Sequence, residues 1–260
     1  MQQYIMKRLE NVKEDGKPYK ISKYSNFWRE LLPAVKITKT KKNTNQFLNE
    51  NNKRVNPYYH EMLEQYLITK WVKPTDVVLE IGARYGIASY TIQTILNDKK
   101  NHVIVEPDSK IKDALKLNKK TFKMRFKSCF KVIANKPQYF YEIENNGLGN
   151  YTLNEKKDGA IRIPRISSKA FFHKYNLPFN VIVVDCEACF CSFFAENEKF
   201  VMGLDMIIVE VDAKERCDYD ANIFSKLKQK FIKVDDIMNG FQQVWVKKVK
   251  KYFPPQQHKK

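Results

Sequence analysis

Two kinds of apolar pattern alternate along the middle of the chain. Continuous apolar runs have the length and composition of strands buried on both faces of a sheet, and they occupy residues 77–81, 103–106, 181–185 and 206–212. Apolar residues at helical spacing predict helices over residues 57–72, 87–96, 109–118 and 223–227. Strands that alternate with helices in this way predict an α/β protein with a parallel sheet.

Weaker strand signals flank this pattern. Residues 130–134 predict a third parallel strand, and residues 139–143 predict an antiparallel companion. Residues 231–234 and 243–246 are separated by a turn signal at Asn239-Gly240, which predicts an antiparallel hairpin at the sheet edge. The expected fold class is therefore α/β, a three-layer Rossmann-like sheet that is mostly parallel, with an antiparallel C-terminal hairpin.

Composition divides the chain into three parts. Residues 57–248 carry the alternating pattern and are expected to form one domain, because 260 residues are cramped for two. Residues 1–56 are polar and are expected to form an N-terminal extension with a short helix at residues 25–32. Its Lys/Asn/Thr-rich stretch, residues 36–54, is typical either of a mobile loop or of a lid that recognises an acceptor. Residues 249–260 are expected to be a disordered basic tail.

The net charge leaves a nucleic-acid partner open. The formal charge is +18, but 39 of the 47 basic residues are lysines. Arginine, which makes the better fork to phosphate, is scarce. An AT-biased genome produces this Lys- and Asn-rich style on solvated surfaces, and the style suits a large DNA virus. Polyanion binding therefore stays a secondary hypothesis.

Several signals bear on the compartment. No apolar stretch reaches the roughly 20 residues of a membrane span, and the first residues lead into charge rather than into a secretory apolar region. We expect a soluble cytoplasmic protein, in the host cytoplasm if the chain is viral. Five cysteines are an odd number, and Cys186, Cys189 and Cys191 crowd together, which is unlike a disulfide framework. Reduced thiols are expected, and a zinc site is not, because no second pair or nearby histidine completes the set.

Acidic residues close the predicted strands. Glu80, Glu106, Asp185 and Glu210 all fall where a parallel sheet presents its carboxyl ends, which is where ligands bind in open α/β sheets. Gly82 and Gly86 follow the first strand and allow a close turn into a helix. Glu106 is placed to accept both hydroxyls of a ribose.

The first turn does not fit a dinucleotide. Arg84 occupies the position where a pyrophosphate-binding turn has its second glycine, and Glu80 would repel phosphates. A sulfonium cofactor has no phosphate, and its cationic amino group can be held by a carboxylate. The turn therefore favours S-adenosylmethionine over NAD.

These motifs resemble those of class I methyltransferases, and more narrowly of the FkbM family. The matching segments are Gly82-Ala83-Arg84-Tyr85-Gly86, Glu106-Pro107-Asp108, Asn118 and Asp185-Cys186-Glu187-Ala188. The resemblance covers about residues 75–246. Two departures are Ala188, where the family has glycine, and Arg84-Tyr85, where it has small polar residues.

The resemblance implies a fold, an activity and a cofactor site. It implies a seven-stranded methyltransferase fold and S-adenosylmethionine-dependent O-methylation, often of sugars. The methionine end of the cofactor would be held by Glu80, Gly82, Ala83, Arg84, Tyr85 and Gly86, the ribose by Glu106 and Pro107, and the adenine near Asn135.

Asp185 is the best-placed candidate for the base that takes a hydroxyl proton. Glu187 could share or orient that task, and His173 is a spare candidate. Asp185, Glu210 and Asp212 are oxygen ligands that could together hold Mg²⁺, although a metal is not predicted.

Three functions follow from this reading. The first is O-methylation of a carbohydrate hydroxyl with S-adenosylmethionine. The second is ribose 2′-O-methylation of RNA, motivated by the charge and by Lys214, which with Asp185 resembles part of a Lys-Asp-Lys-Glu tetrad. The third is a methyltransferase fold that binds without catalysis. The oligomeric state stays open.

Overall fold

The structure is a computed structural model. It describes residues 13–14, 17–18, 46–55, 61–141, 151–153, 156, 158–212, 214 and 216–248. The predicted helix at residues 25–32, most of the Lys/Asn/Thr-rich stretch, the first residues of the helix predicted at 57–72, and the tail at 249–260 lie outside these residues.

Seven strands form the central sheet. In chain order they are β1 (Val78–Ile81), β2 (His102–Val105), β3 (Lys127–Cys129), β4 (Val181–Val184), β5 (Met206–Glu210), β6 (Phe231–Ile237) and β7 (Gln242–Lys247). Their order across the sheet is β6-β7-β5-β4-β1-β2-β3. Strands β1 to β5 pair in parallel, and β7 pairs antiparallel with both β5 and β6.

The strand order creates a switch point between β1 and β4. The chain runs outward from β1 to β3, then returns to the other side of β1 and runs outward again from β4 to β5. Crossovers leave the carboxyl ends of β1 and β4 in opposite directions, so a crevice opens where the two strands lie side by side. The predicted mostly parallel sheet with a C-terminal antiparallel hairpin is confirmed.

Helices cover both faces of the sheet. They are α1 (Met62–Trp71), α2 (Ile87–Ile95), α3 (Lys112–Thr121), α4 (Ser168–Tyr175), α5 (Cys189–Val201), a π-helix (Asp220–Phe224) and α6 (Ser225–Lys230). Residues of α1, α2 and α3 pack on one face, as Leu67, Ile92 and Leu115 illustrate. Residues of α4, α5, the π-helix and α6 pack on the other face, around Phe171, Phe194 and others. The core is therefore two apolar layers separated by the sheet.

The prediction for the third strand was wrong. Strand β3 is Lys127–Cys129, whereas Val132–Ile133 pairs in parallel with Arg165–Ile166 in a separate ladder. As an edge strand, β3 needs only one neighbour, and its polar sequence shows no continuous apolar run. The residues at positions 132 and 133 are apolar and buried, so their sequence pattern resembles that of a strand in the main sheet.

The antiparallel segment predicted at residues 139–143 has other partners. Tyr139–Tyr141 is a strand, but it pairs with Tyr151–Leu153 and Ile161–Arg162 in a small antiparallel sheet of its own. No apolar spacing predicted α4. This helix begins after Ser167, whose Oγ accepts a hydrogen bond from the Ala170 backbone amide at 3.3 Å.

A short hairpin within the predicted extension packs on the main domain. Phe47–Leu48 pairs antiparallel with Arg54–Val55, and Phe47 is buried against Tyr90 and Phe122. The Asn118 side-chain amide of α3 donates to the carbonyl of Leu48 at 2.9 Å and to that of Tyr85 at 2.9 Å. Asn118 thereby ties this hairpin to the turn after β1. A second two-strand ladder joins Lys13–Glu14 to Lys17–Pro18.

The expectation of reduced thiols was wrong for four of the five cysteines. Disulfides join Cys186 to Cys189 and Cys191 to Cys217, with Cα–Cα distances of 5.4 and 5.8 Å, while Cys129 is a buried free thiol. The first turn of α5 folds Cys189 back towards Cys186, and the segment after β5 returns Cys217 to α5. Linear spacing cannot show either approach.

A search of the described residues for membrane spans found no helix with the length and hydropathy to cross a bilayer.

Candidate functional site

The carboxyl ends of β1 and β4 meet at Gly82. Gly82 has a φ of +92°, and a Cβ at this position would lie 1.6 Å from the carbonyl oxygen of Asp185. Its amide donates to the carbonyl of Val105 at 2.9 Å. No other residue type fits this turn, so the glycine brings the ends of β1, β2 and β4 together at the switch point.

The carboxylate of Glu106 is held from both sides. Its Oε2 accepts from the backbone amide of Arg84 at 2.8 Å, and its Oε1 accepts from the backbone amide of Asp108 at 2.9 Å. Burial raises the pKa of Glu106 to about 7, against the opposing effect of these two hydrogen bonds. Each oxygen keeps further acceptor capacity, so the group can still accept two hydroxyl donors.

A cleft of about 920 Å³, including space open to solvent, runs along this edge. One part of its lining is apolar, with Ile111, Val132, Ile133 and Phe140. The other part is rich in acids, which are Glu61, Glu106, Asp108, Asp185 and Glu187. Gly82, Arg84, Pro107 and the disulfide pair Cys186 and Cys189 also line it. The cleft can therefore accept a ligand with a flat apolar end and a cationic end.

Glu80 does not line this cleft. Its side chain is fully buried, with Oε2 2.8 Å from His102 Nε2 and accepting from Ser89 Oγ at 2.7 Å. Successive side chains of a strand point to opposite faces of the sheet, and the Glu80 side chain points to the face covered by α1, α2 and α3. The contacts of Glu80 join β1 to β2 and α2.

Four other residues predicted to bind the cofactor also lie outside the cleft lining. Ala83 and Tyr85 are buried in the apolar cluster that packs against α3. The Tyr85 hydroxyl donates to Glu50 Oε2 at 2.6 Å. Gly86, with a φ of +81°, precedes the first residue of α2. The backbone N–H of Asn135 donates to Glu196 Oε2 at 2.7 Å. The structure thus brings together Gly82, Arg84, Glu106 and Pro107 from that predicted set.

Arg84 is a positive charge in this acidic surrounding. Its backbone is left-handed, with a φ of +41°, and its guanidinium lies 4.8 Å from the centre of the Tyr85 ring. Its charge opposes the upward pKa shifts of Glu61, Glu106 and Asp185. Such a side chain limits the repulsion among the acids without neutralising all of them.

The two predicted catalytic acids lie at the end of β4. Burial raises the pKa of Asp185 well above its usual range, and the charges of Asp212 and Glu61 add to the shift. Burial and the charges of Asp212 and Asp185 raise the pKa of Glu187 to about 8. Glu187 and Ala188 have φ values of +52° and +68°, so the chain turns sharply between Asp185 and α5. This turn aims both acids at the cleft.

Sequence analysis missed Glu61 and Glu64. Glu61 lines the cleft, its Oε2 accepts from the Ala88 amide at 2.9 Å, and burial raises its pKa to about 7. Glu64 is 2% exposed, and burial raises its pKa well above the usual range. The signal in the sequence was a pair of acids three positions apart near a helix start, a spacing that places both on one side.

Asp185, Glu210 and Asp212 lie together, as the metal hypothesis requires. One carboxylate oxygen of each lies within 4.8 Å of the others. His173 and Lys214, in contrast, are exposed, and neither lines the cleft.

Comparisons with known proteins find solved structures that are similar to this one, but they find no matching sequence. No family model and no curated protein matches the sequence. An O-methyltransferase from Bacillus cereus, solved in complex with SAH, is 12% identical, with 95% of this chain and 96% of that chain covered and a TM-score of 0.45. A ribosomal protein L11 methylase from Lactobacillus delbrueckii subsp. bulgaricus is 11% identical, with 75% and 81% covered and a TM-score of 0.46. An rRNA methylase from Streptococcus thermophilus is 8% identical, with 74% and 97% covered and a TM-score of 0.43.

The strand order of the central sheet identifies its architecture. The doubly wound order with an antiparallel β7 inserted between β5 and β6 distinguishes this sheet from a dinucleotide-binding one. The chain has a three-layer, Rossmann-like α/β fold with a mostly parallel seven-stranded sheet and an antiparallel C-terminal hairpin.

Proposed function

We propose that this chain is an S-adenosylmethionine-dependent O-methyltransferase of the FkbM type whose acceptor is a sugar hydroxyl. The observation that carries the proposal is the cleft at the β1–β4 switch point, which is lined by Glu106, held by two backbone amides after β2, and by Asp185 at the end of β4. Ligands of doubly wound sheets bind at this position.

The lining fits the cofactor part by part. Glu106 can accept two ribose hydroxyls, with Pro107 beside it, and Ile111, Val132, Ile133 and Phe140 offer an apolar surface for the adenine. Glu61 and Asp185 offer carboxylates to the ammonium and the sulfonium. In this proposal Glu80, Ala83, Tyr85 and Gly86 act by shaping the turn after β1, and Asn135 by tethering the segment after Ile133.

The chemistry asks the protein mainly to position two reactants. Bound S-adenosylmethionine would supply its methyl group to the acceptor oxygen, the carbon–sulfur bonding pair would stay on sulfur, and the Asp185 carboxylate would take the hydroxyl proton. The products are a methyl ether, S-adenosylhomocysteine and protonated Asp185. Glu187 orients the acceptor hydroxyl. The nearby sulfonium charge favours the ionised form of Asp185 before the transfer.

The acidic surrounding supports a neutral polyol over RNA as the acceptor. Glu61, Glu64, Glu187, Glu210 and Asp212 all lie near Asp185, where a phosphodiester would meet repulsion. Carboxylates accept hydrogen bonds from sugar hydroxyls well. The net charge of +18 is the observation that keeps RNA as the second candidate, and the acceptor test below includes it.

Cofactor binding and methyl transfer test the proposal separately. Calorimetry with S-adenosylhomocysteine should show binding to the wild type and a loss of about tenfold or more in Glu106→Gln, because the amide replaces one hydroxyl acceptor with a donor. Asp185→Asn should keep binding but lose about 10²-fold or more in transfer rate from labelled S-adenosylmethionine.

Asp205→Asn is the matched control, because Asp205 is exposed and precedes the opposite end of β5. Acceptors are a panel of neutral glycans and an RNA pool at low and high salt. Labelled glycan at both salt concentrations supports the proposal. Labelled RNA alone, lost steeply with salt, replaces the sugar acceptor with the RNA one. No heat with S-adenosylhomocysteine overturns the enzyme assignment.

A further inference from the structure

A group of three carboxylates lies beside the cleft, where β4 and β5 end. One oxygen each of Asp185, Glu210 and Asp212 lies within 4.8 Å of the others. Glu210 and Asp212 are each 8% exposed, so two of the three ligands are withdrawn from solvent. Like charges at this separation repel strongly in a buried site, and such a group is stable only with protons or a cation among its oxygens.

A fourth carboxylate, outside this trio, is unpartnered beside it. Glu64 is 98% buried, and neither of its oxygens has a hydrogen-bond partner among the described residues. Asp185, Glu61, Glu80 and Glu210 lie near enough to raise its pKa further, and all four are acidic. A buried carboxylate without a donor is costly, and positive charge in the adjacent trio would offset that cost.

The hydrogen bonds around the trio orient its ligands without using all their oxygens. Asp212 Oδ1 accepts from Tyr219 Oη at 3.0 Å and from the Ala188 amide at 3.0 Å. In the described part of the chain, no hydroxyl or amide donates to the buried Oδ2, and the Glu187 carboxyl lies within hydrogen-bond reach of Asp212. Glu210 Oε2 accepts from Gln242 Nε2 at 2.5 Å. Outer hydrogen bonds of this kind fix the direction of carboxylate ligands in metal sites.

We propose that Asp185, Glu210 and Asp212 bind one hard divalent cation of the Mg²⁺ or Ca²⁺ class beside the methyl-donor cleft. An all-oxygen donor set selects such ions over zinc or copper. Two oxygens on opposite sides of an ion lie about 4.2 Å apart for Mg²⁺ and about 4.8 Å apart for Ca²⁺, from metal–oxygen distances of about 2.1 and 2.4 Å. The oxygens of the trio all lie within 4.8 Å of one another, so they are close enough to share one Ca²⁺ ion, and a contraction of at most a few tenths of an ångström brings them within the Mg²⁺ limit.

Binding of the ion does not depend on the proposed function, whereas its use in catalysis does. Hydroxyl oxygens of the substrate could coordinate a cation at this site. The cation would then make the attacked hydroxyl more acidic. Each carboxylate offers one oxygen to the ion, so the second oxygen of Asp185 stays available for the hydroxyl proton. The cation would also stabilise the ionised state of the carboxylates around it.

Mn²⁺ is the probe, because its paramagnetic resonance signal counts bound ions on the full chain. The wild type should bind one Mn²⁺ per chain, and Mg²⁺ or Ca²⁺ should displace it. Asp212→Asn and Glu210→Gln should each weaken binding at least about tenfold, while Asp205→Asn should bind as the wild type does. Tyr219→Phe removes a hydrogen bond to Asp212 without touching a ligand and should weaken binding about tenfold, which provides a test if Asp212→Asn does not fold.

Two results would overturn the site: no stoichiometric Mn²⁺ on the folded wild type at millimolar concentration, or equal binding by the wild type and Asp212→Asn. Calorimetry with S-adenosylhomocysteine on the same samples separates this failure from that of the proposed function. Cofactor binding without Mn²⁺ removes the metal site and keeps the methyltransferase. Mn²⁺ binding without cofactor binding keeps the metal site and removes the methyltransferase.

Discussion

At the scale of single residues, the left-handed backbone positions around the cleft limit which residue types fit there. Gly82 has no alternative, because any Cβ would collide with the backbone of Asp185. Ala188 has a φ of +68°, in the region that favours glycine, so the Cβ of this alanine costs stability at the turn. Glu187 has the same backbone strain but carries a carboxylate that faces the cleft.

Ala188→Gly should therefore stabilise the chain by up to about 1 kcal/mol, because glycine adopts the left-handed conformation without the Cβ clash. Ala195→Gly is the matched control. It makes the same substitution at an exposed position inside α5, where glycine should lower stability by about 1 kcal/mol. Urea unfolding at equilibrium measures both, and a loss of stability in Ala188→Gly would contradict the assigned backbone strain.

At the scale of elements, covalent links hold the segments that carry the acids. The Cys191–Cys217 disulfide joins α5 to the segment that follows β5 and contains Asp212. The Cys186–Cys189 disulfide closes the turn that contains Glu187 and Ala188. The two bonds therefore stabilise the turn after β4 and the segment after β5, from which the acids of the reacting end come.

Loss of the Cys191–Cys217 bond should lower stability by about 3.5 kcal/mol, because it releases a loop of 26 residues in the unfolded chain. Cys217→Ala should show this loss in urea unfolding under oxidising conditions, and a reductant should bring the wild type close to the variant. Cys129→Ala, which removes the buried free thiol, controls for the packing loss. Equal stability of Cys217→Ala and Cys129→Ala would mean that the thiols are reduced, as their spacing first indicated.

At the scale of the whole molecule, the acidic residues of the cleft contrast with the positive net charge of the chain. The chain carries a formal charge of +18, yet the cleft and its floor collect acids. Burial raises the pKa of both Glu61 and Glu106 from 4.5 to about 7. Between pH 4.5 and about 7, both groups therefore stay protonated in the folded chain, whereas they are ionised in the unfolded chain.

Without bound ligands, the chain should lose stability as the pH rises from about 5 to about 7. A carboxyl with a raised folded-state pKa stabilises the fold below its unfolded pKa, and this contribution disappears as pH rises through the folded value. Each of the two groups contributes up to about 3 kcal/mol to the change. Urea unfolding at pH 5, 6, 7 and 8 measures it, and Glu106→Gln should flatten the slope. Stability that increases across this range would contradict the assigned burial.

Much of the fold was predictable from local pattern. Strands β1, β2, β4 and β5 are continuous apolar runs, and the C-terminal hairpin has a turn signal, so their burial and connection follow from sequence. Strand β3 was not predictable in this way, since an edge strand is only half covered and its polar sequence shows no run. The one sequence signal of helix α4 is the serine that caps its N-terminus, Ser167.

The division at the site has the same physical origin. The sequence by itself determined Gly82, Glu106 and Asp185, because a strand end, a required glycine and an acid are local features. Only the tertiary structure decided that Glu80 turns away to His102, that Glu61 and Glu64 join the site, and that Cys217 reaches α5. Each of these depends on which face of an element meets a segment distant in the chain, and that is settled by packing between elements rather than by the order of residues within one.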